Sequence, residues 1–440
     1  MSNRPDRSPI PVGMSTILPE TVTQVRHLEG VLLATLGRWG YQEIMPPTFE
    51  YLDVLAPGLE PGVIEACYKF VDRTTGRILL LRPDVTAQIA RIVAMGMVEA
   101  RLLIRLSYRT TVFRYEPEHA GRDREVFQVG AELIGVDDAA MDGEIVALMG
   151  DCLGRLGLSD FTISLGHVGF FKALVARAGL SPDGQKRAEH AAAKKDLPRL
   201  EEILAQERIS ARAAKGILEA PRLYGGEAVL ERGRALAGRD PKSRAALDRL
   251  TQVYRLLADT GFKDRLVLDL GEFRGFDYYD GVVFDVFTEG VGCELGGGGR
   301  YNNLIGRFGQ DLPSTGFAFD VDRLFRALER RGNGSPRARG TVLVSAPASQ
   351  ARRLFHVSGQ LRDAGICVVH GTLRSNTARQ PQAVLAEGRR LGAATAVLIG
   401  LPGRPPDETL VLTGCAEPRP PQRRRVPLKA LVGILSKNGR

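Results

Sequence analysis

The chain contains no apolar run approaching the roughly 20 residues that a membrane-crossing helix needs. Its opening, MSNRPDRSPIPVGMSTILPE, is polar and proline-bearing, without the apolar core of a signal peptide, so a cytoplasmic location is expected. Cysteine is scarce: Cys67, Cys152, Cys293, Cys367 and Cys415 are scattered, odd in number and never spaced as CxxC. That pattern argues against a disulfide framework and against a metal site, and for reduced thiols in a core. The glycine run at 296–299 permits close backbone approach, but no GK[ST] follows it, which excludes a P-loop.

What is present is enough for two or three domains: 440 residues, 44% hydrophobic and 25% charged, as in ordinary soluble globular proteins. The net charge of +9 is unevenly placed. Residues 331–440 hold 18 Lys and Arg against 5 Asp and Glu, leaving the first 330 residues near −4. A basic C-terminal region suits RNA, an acidic protein partner or plain solubility. Aromatics do not interleave with its arginines, Arg423 to Arg425 included, which weakens an RNA-stacking reading.

Residues 105–135, RLSYRTTVFRYEPEHAGRDREVFQVGAELIG, are the stretch around which the rest is arranged. Two runs of β-formers flank a polar loop at 117–123, which predicts an antiparallel hairpin. Side chains alternate across a strand, so Arg114 and Glu116 share one face of the first arm, and Val126, Gln128 and Glu132 one face of the second. If the faces coincide, a guanidinium, two carboxylates and an amide converge. Buried charges cost several kcal/mol each unless paired, so such a gathering points to a binding site. The alternative is an exposed face of ion pairs.

Along the chain, residues 22–36 have helical spacing, and GYQEIMPPTFEYLDVL reads as a strand followed by proline turns. A buried strand is expected at 78–81, with Pro83 opening a helix and Asp84 in its first turn. On local grounds alone this is helix capping. A helix is expected at 139–156, and FTISLGHVG reads as a strand with a turn. His167 in it reads as structural, since nothing nearby supplies a nucleophile or metal ligand. Residues 181–261 read as a helical insertion with a solvated charged face. Buried strands at 266–270 and 281–287 flank EFRGFDYYDG. Arg274 there can grip a carboxylate through two parallel hydrogen bonds. Tyr278 and Tyr279 offer ring faces and hydroxyls to an aromatic heterocycle, although two tyrosines between strands are as readily core. RGNGSPRARG at 331–340 is a linker, and 341–440 alternates strand and helix, predicting a small α/β domain; LPGRPPDETL is turn-rich and departs from that pattern.

The hairpin's FR-x-E, loop, R-x-RE, then Gln and Glu four apart, resembles motif 2 of class II aminoacyl-tRNA synthetases, the histidyl enzyme above all. RPDVT is similar to that family's RPE-x-T element, RGFDYY to its RG-x-DYY signature, GGGRYN to its GGGRYD, and STGFAFDVDRLFRAL to the third class II motif. The resemblance implies an α+β fold: a class II synthetase-like antiparallel sheet with flanking helices and a helical insertion, over 1–330. Beyond the linker it implies a small α/β domain at 341–440 like a degenerate anticodon-binding domain. Carried over residue by residue, it puts Asp84, Thr86 and Gln128 at a histidine's α-ammonium group. Glu132 and Tyr279 go to the imidazole nitrogens, Arg114 and Arg274 to the carboxylate side, and Tyr278 joins the same pocket. Tyr301 is expected near it.

The nucleotide side departs from the synthetase. Val126 stands where a phenylalanine stacks on adenine, and Phe127, one residue on, points to the other face. Asp320 replaces a small residue, Asp322 a glutamate, and Asn302 an acid; Asp84 is one methylene shorter than the usual glutamate. Arg323 remains. A site that keeps the amino acid and loses the nucleotide resembles the regulatory subunits of ATP phosphoribosyltransferase, paralogues of the synthetase. That resemblance implies a non-catalytic chain with no cofactor, metal or catalytic residue, bound to a short-form catalytic subunit and taking L-histidine as feedback effector. It implies a homodimer within a hetero-oligomer, no membrane, and no tRNA. The alternative is a working histidine–tRNA ligase, for which the basic C-terminal region is the best argument.

Overall fold

A computed structural model of the chain describes residues 10–97, 103–115, 124–272, 278–331, 341–371, 381–401, 403, 405, 407–415 and 422–437. The chain divides into two compact units, Met1–Gly334 and Ser335–Arg440.

In the first unit the hairpin forms from two ten-residue arms, Ile104–Phe113 and Glu125–Ile134, with Ile104 opposite Ile134 and Phe113 opposite Glu125. A nine-stranded sheet is built around it. The order runs Gln42–Glu43, first arm, second arm, Ser314–Asp320, Gly296–Arg300, Val282–Thr288, Phe161–His167, Leu266–Asp269, Tyr224–Gly225. The centre is antiparallel, as expected, while parallel pairing joins Gln42–Glu43 to the first arm and Phe161–His167 to Leu266–Asp269. The Gly296–Arg300 strand fits its neighbours because its first four residues lack side chains. A Cβ on Gly298 would lie 1.9 Å from the Gly316 carbonyl oxygen, a distance no other residue tolerates.

Alternation sends the sheet's two faces to different surroundings. Val129 and Leu133, with Phe284, Phe317 and Phe319, enter the large core. Helices Pro19–Arg38 and Ala139–Arg155 close it with Leu28, Leu32, Ile145 and Met149. Side chains buried to this degree contribute about 1.5–3 kcal/mol each. Five helices between Pro182 and Leu257 join the same core through Leu200, Ile203, Leu247 and Leu250. Four of them begin at hydrogen-bonded caps, Ser181, Asp196, Ser210 and Asp240. The opposite face carries Tyr108, Val112, Val283 and Tyr301 under the short helix Thr86–Ala94. That thinner cover leaves room for a site.

Three local expectations are corrected. The Ile78–Leu81 strand is not buried throughout: Leu80 is, but Ile78 is 47% exposed, because the strand belongs to a small three-stranded sheet with Phe49–Tyr51 and Lys69–Val71. Pro83 does not open the following helix, which begins at Thr86; Asp84 Oδ1 accepts the Ala87 N–H at 2.8 Å and caps it from outside. After FTISLGH the chain enters a helix, Val168–Ala178, rather than a turn. His167 Nδ1 accepts the Gly169 N–H at 3.1 Å, and burial holds its pKa down to about 4, so the neutral ring serves as a cap.

In the second unit Val342–Ser345, Val368–His370 and Thr395–Ile399 pair in parallel, with helices Ala351–Asp363 and Pro381–Arg390 between them. Val344 and Leu343 enter cores on opposite faces, as a parallel sheet requires. The sequence after Gly400 also builds structure: Glu408–Thr413 and Gln422–Pro427 extend the sheet antiparallel. No helix among the described residues is long and apolar enough to cross a membrane.

Candidate functional site

The thinly covered face holds a cavity of about 360 Å³. Alternation turns Val126 and Gln128 of the second arm into it; Asp84 and Thr86 enter from the head of the Thr86–Ala94 helix, Arg114 from just beyond the first arm. Tyr278 and Tyr279 come from the approach to the Val282–Thr288 strand. Glu132, 1% exposed, lies behind the lining residues Thr86 and Tyr301. Thr86 Oγ1 donates to its Oε1 at 2.8 Å, and the Tyr301 hydroxyl donates to its Oε2. The structure thus gathers Asp84, Thr86, Arg114, Gln128, Glu132, Tyr278 and Tyr279. Thr86 and Glu132, which the resemblance gives to different ends of a ligand, are hydrogen-bonded to each other. Arg274 lies outside the described residues, as do Glu116 and the loop 117–123.

Burial sets the electrostatics of this end. Desolvation lifts Glu132 to about 8, with Asp84 adding to the rise, while hydrogen bonds from Tyr301 and Thr86 oppose it. Desolvation also raises Asp84, against the Ala87 N–H and the Arg114 charge. The Tyr278 hydroxyl donates to Asp84 Oδ2 at 3.4 Å, and Arg114 Nε donates to the Pro83 carbonyl at 3.0 Å. Tyr278, Tyr279 and Tyr301 form one wall, with ring centroids 4.7–6.4 Å apart. Burial drives the Tyr108, Tyr278 and Tyr301 phenols upward, so they serve as donors rather than nucleophiles. Gly316 makes room for the Glu132 carboxyl group, since a Cβ there would lie 1.7 Å from Glu132 Oε2. Two buried carboxyl groups, an amide, a guanidinium and an aromatic wall suit a small zwitterion with ring N–H donors. Each of the four carboxyl oxygens already accepts one hydrogen bond from the protein, from Ala87, Tyr278, Thr86 and Tyr301, so a ring N–H donor would add to carboxyl groups held in place rather than rescue unpaired ones.

The other end of the cavity is lined by Cys293, Glu294, Asp320, Arg323 and Arg326. Arg323 Nη1 donates to Glu294 Oε1 at 2.6 Å and to the Glu294 carbonyl at 2.9 Å, and its Nε pairs with Asp320 Oδ2 at 3.0 Å. Asp320 Oδ1 also accepts the Arg323 N–H at 3.1 Å, capping helix Val321–Arg330. One guanidinium is therefore held by two carboxylates. Val126 lines this cavity, and Phe127 lines a different one on the sheet's underside.

Sequence reasoning missed Tyr108, Cys293, Glu294 and Arg326. Counting back in twos from Arg114 reaches Tyr108, so alternation carried that signal. Glu294 and Cys293 precede the Gly296–Arg300 strand in an irregular segment, where no period applies. Asn302 is turned away: its Oδ1 accepts from Arg300 Nη1 at 3.0 Å and from Ser314 N at 3.2 Å, joining a buried network in which Arg300 Nε donates to Asp142 at 2.7 Å.

The histidyl-tRNA synthetase family model matches residues 13–324. The ATP phosphoribosyltransferase regulatory subunit of Geobacter metallireducens is 37% identical over 396 residues, covering 90% of each chain. That of Moorella thermoacetica is 40% identical over 384 residues, covering 87% of this chain and 96% of the relative. A solved structure from Bacillus halodurans, described as an ATP phosphoribosyltransferase regulatory subunit/histidyl-tRNA synthetase, matches with a TM-score of 0.75 at 29% identity, over 87% of this chain and 97% of its own. The chain belongs to the family of ATP phosphoribosyltransferase regulatory subunits, built on the class II histidyl-tRNA synthetase fold.

Proposed function

We propose that this chain is a non-catalytic subunit that takes free L-histidine and relays its occupancy to a short-form catalytic subunit, giving feedback inhibition of the first step of histidine biosynthesis. Asp84, Thr86 and Gln128 receive the α-ammonium group, Glu132 and Tyr279 the imidazole, and Arg114 and Arg274 the carboxylate, with Tyr278 holding Asp84. The carrying observation is the lopsided cavity: the polar groups for an amino acid converge at one end. At the other, Arg323 is already occupied by Glu294 and Asp320. A triphosphate entering there meets two carboxylates and no free guanidinium at Arg323, at roughly 1 kcal/mol or more per close like-charge pair. Feedback then follows if the histidine-bound and free forms of the assembly differ in catalytic competence, and the coupling is reciprocal: substrates that favour one form weaken histidine for it. The same reading makes the chain a cytoplasmic homodimer inside a hetero-oligomer. Its second unit is a degenerate anticodon-binding domain that does not serve tRNA.

Thermal-shift titrations with histidine and with ATP, alone and with the catalytic subunit, test it together with histidine-dependent ATP–pyrophosphate exchange. Saturable stabilisation by histidine without exchange is expected, and Arg274→Ala weakens histidine inhibition of the complex. Robust exchange makes the chain a ligase and overturns the proposal.

A further inference from the structure

Past the cavity, on the side of the sheet away from the hairpin, lies a second group of acids outside the residues assigned to histidine. Gly297, in the cavity wall, stands opposite Asp285, and Asp285 opposite Ser164, so all three share one face. Asp269 turns to that face because Leu268, before it, enters the large core. Asp269 and Asp285 are 4% and 8% exposed. Ser164 Oγ donates to Glu272 Oε2 at 3.2 Å, which brings a third carboxyl group to the other two. Burial, with Asp285 and Asp269 adding to it, raises Glu272 to about 7, against Lys195 and the Ser164 hydroxyl.

The cation comes from the helical insertion. Lys195 Nζ donates to both Asp269 oxygens, at 2.8 and 2.7 Å, and to the Pro221 carbonyl at 3.2 Å. Lys195 stands at φ 55°, just past helix Pro182–Ala193, in a left-handed position that glycine usually fills. Glycine would supply no ammonium group. Two glycines let the parts meet. A Cβ on Gly271 would lie 2.5 Å from Pro221 Cα and 3.1 Å from Lys195 Nζ. One on Gly166 would lie 2.5 Å from Glu272 Cβ and 2.7 Å from the Asp269 carbonyl oxygen. Gly166 is opposite Val283, and Val283 and Tyr279 flank Gly299, where a Cβ would lie 2.8 and 3.0 Å from them. A short run of contacts thus joins the insertion to the tyrosine wall.

We propose that Lys195, Asp269 and Glu272 are positioning residues through which the helical insertion fixes the tyrosine wall of the cavity. They act through the wall and not on the ligand, and the proposal rests on the histidine reading for that ligand. Below the titration of Glu272 the cluster holds two carboxylates and a neutral acid. Above it three carboxylates repel one another, which loosens the strand end that Lys195 holds.

Histidine titration calorimetry of the full chain between about pH 6 and about pH 8.5 tests it, in the parent, Glu272→Gln, Lys195→Met and Lys195→Arg. Glu132 and the ligand's own ring titrate in every variant, so the ratio of the parent's dissociation constant to that of Glu272→Gln isolates Glu272. That ratio is expected to rise about tenfold across the window. Lys195→Met keeps the length of the side chain and the left-handed backbone, and weakens histidine about fivefold at low pH. Lys195→Arg, which restores the charge, stays within about twofold of the parent. A flat ratio overturns the proposal, as does a Lys195→Met chain that binds like the parent, or a Lys195→Arg chain that binds like Lys195→Met. Amide exchange of strand Val282–Thr288 without ligand separates this from the histidine reading. If the parent binds no histidine at any pH, that reading falls alone where the strand's protection drops with pH in the parent but not in Glu272→Gln. The clamp falls with it where the two proteins exchange alike.

Discussion

Neutralising the two carboxylates that hold Arg323 asks whether charge is what closes the nucleotide end of the cavity. Asp320→Asn keeps a side-chain oxygen at the head of helix Val321–Arg330, and Asn caps about as well as Asp, so the change removes a charge and leaves the cap. Glu294→Gln removes the second charge. The Glu294 side chain is 41% exposed, so its pair with Arg323 is heavily screened and contributes about 0–1 kcal/mol. Asp320 is 15% exposed and contributes more, since near an effective dielectric of about 20 the gross attraction at contact is several kcal/mol before desolvation is charged against it. An arriving phosphate gains Arg323 and loses two repulsions. At about 1 kcal/mol for each close repulsion, the double variant improves pyrophosphate affinity by roughly 2 kcal/mol, or about thirtyfold. The single variants do not sum to this, because both carboxylates share one guanidinium. Titration calorimetry with pyrophosphate reads the gain, and histidine titration serves as the control, expected to move less than threefold. Unchanged pyrophosphate affinity in a double variant that melts like the parent refutes electrostatic closure and leaves the shape around Val126 as the cause.

Gly316→Ala drives a methyl group to 1.7 Å from Glu132 Oε2 and 2.7 Å from the Ala131 carbonyl oxygen. It is expected to cost about 1–3 kcal/mol in urea unfolding and to abolish histidine binding; a variant that binds normally removes Glu132 from the pocket. Asp142→Ala takes from Arg300 and Arg249 the carboxylate they hold at 2.7 and 2.8 Å, and Asp137, 52% exposed, replaces it poorly. A loss of about 3 kcal/mol or more is expected, and one below about 1 kcal/mol refutes the account of that network. Glu132 ionises near 4.5 in the unfolded chain and about 8 in the fold, so between those values the native state holds a proton that the unfolded state has released. Its contribution to stability is complete below about 4.5 and is lost as pH rises toward about 8, at up to about 1.4 kcal/mol per unit. Stability curves of the parent and Glu132→Gln therefore diverge across that window, and parallel curves refute the assignment.

Much of the site was legible in the sequence because strand alternation is strict. Arg114, Gln128 and Glu132 had to share a face once the two arms paired, and Val126 had to share it too. The edge strand Gln422–Pro427 was not legible, because Val426 is its only buried residue and three consecutive arginines read as a charge run. Nor was the hold on Arg323, since Glu294 reaches it from 29 residues away out of a segment without a period. The same alternation joins the two faces of the hairpin. A phenylalanine at 126 would lie in the upper cavity, where the ligase resemblance puts its adenine stack. A ring does stand one residue later, at Phe127, but it lines the cavity beneath the sheet. Gln128 and Glu132 keep the upper face, so the strand has not slipped by a residue, which would have turned every side chain over. The missing adenine stack above and the ring below are therefore separate features of adjacent positions, held to opposite faces by alternation alone.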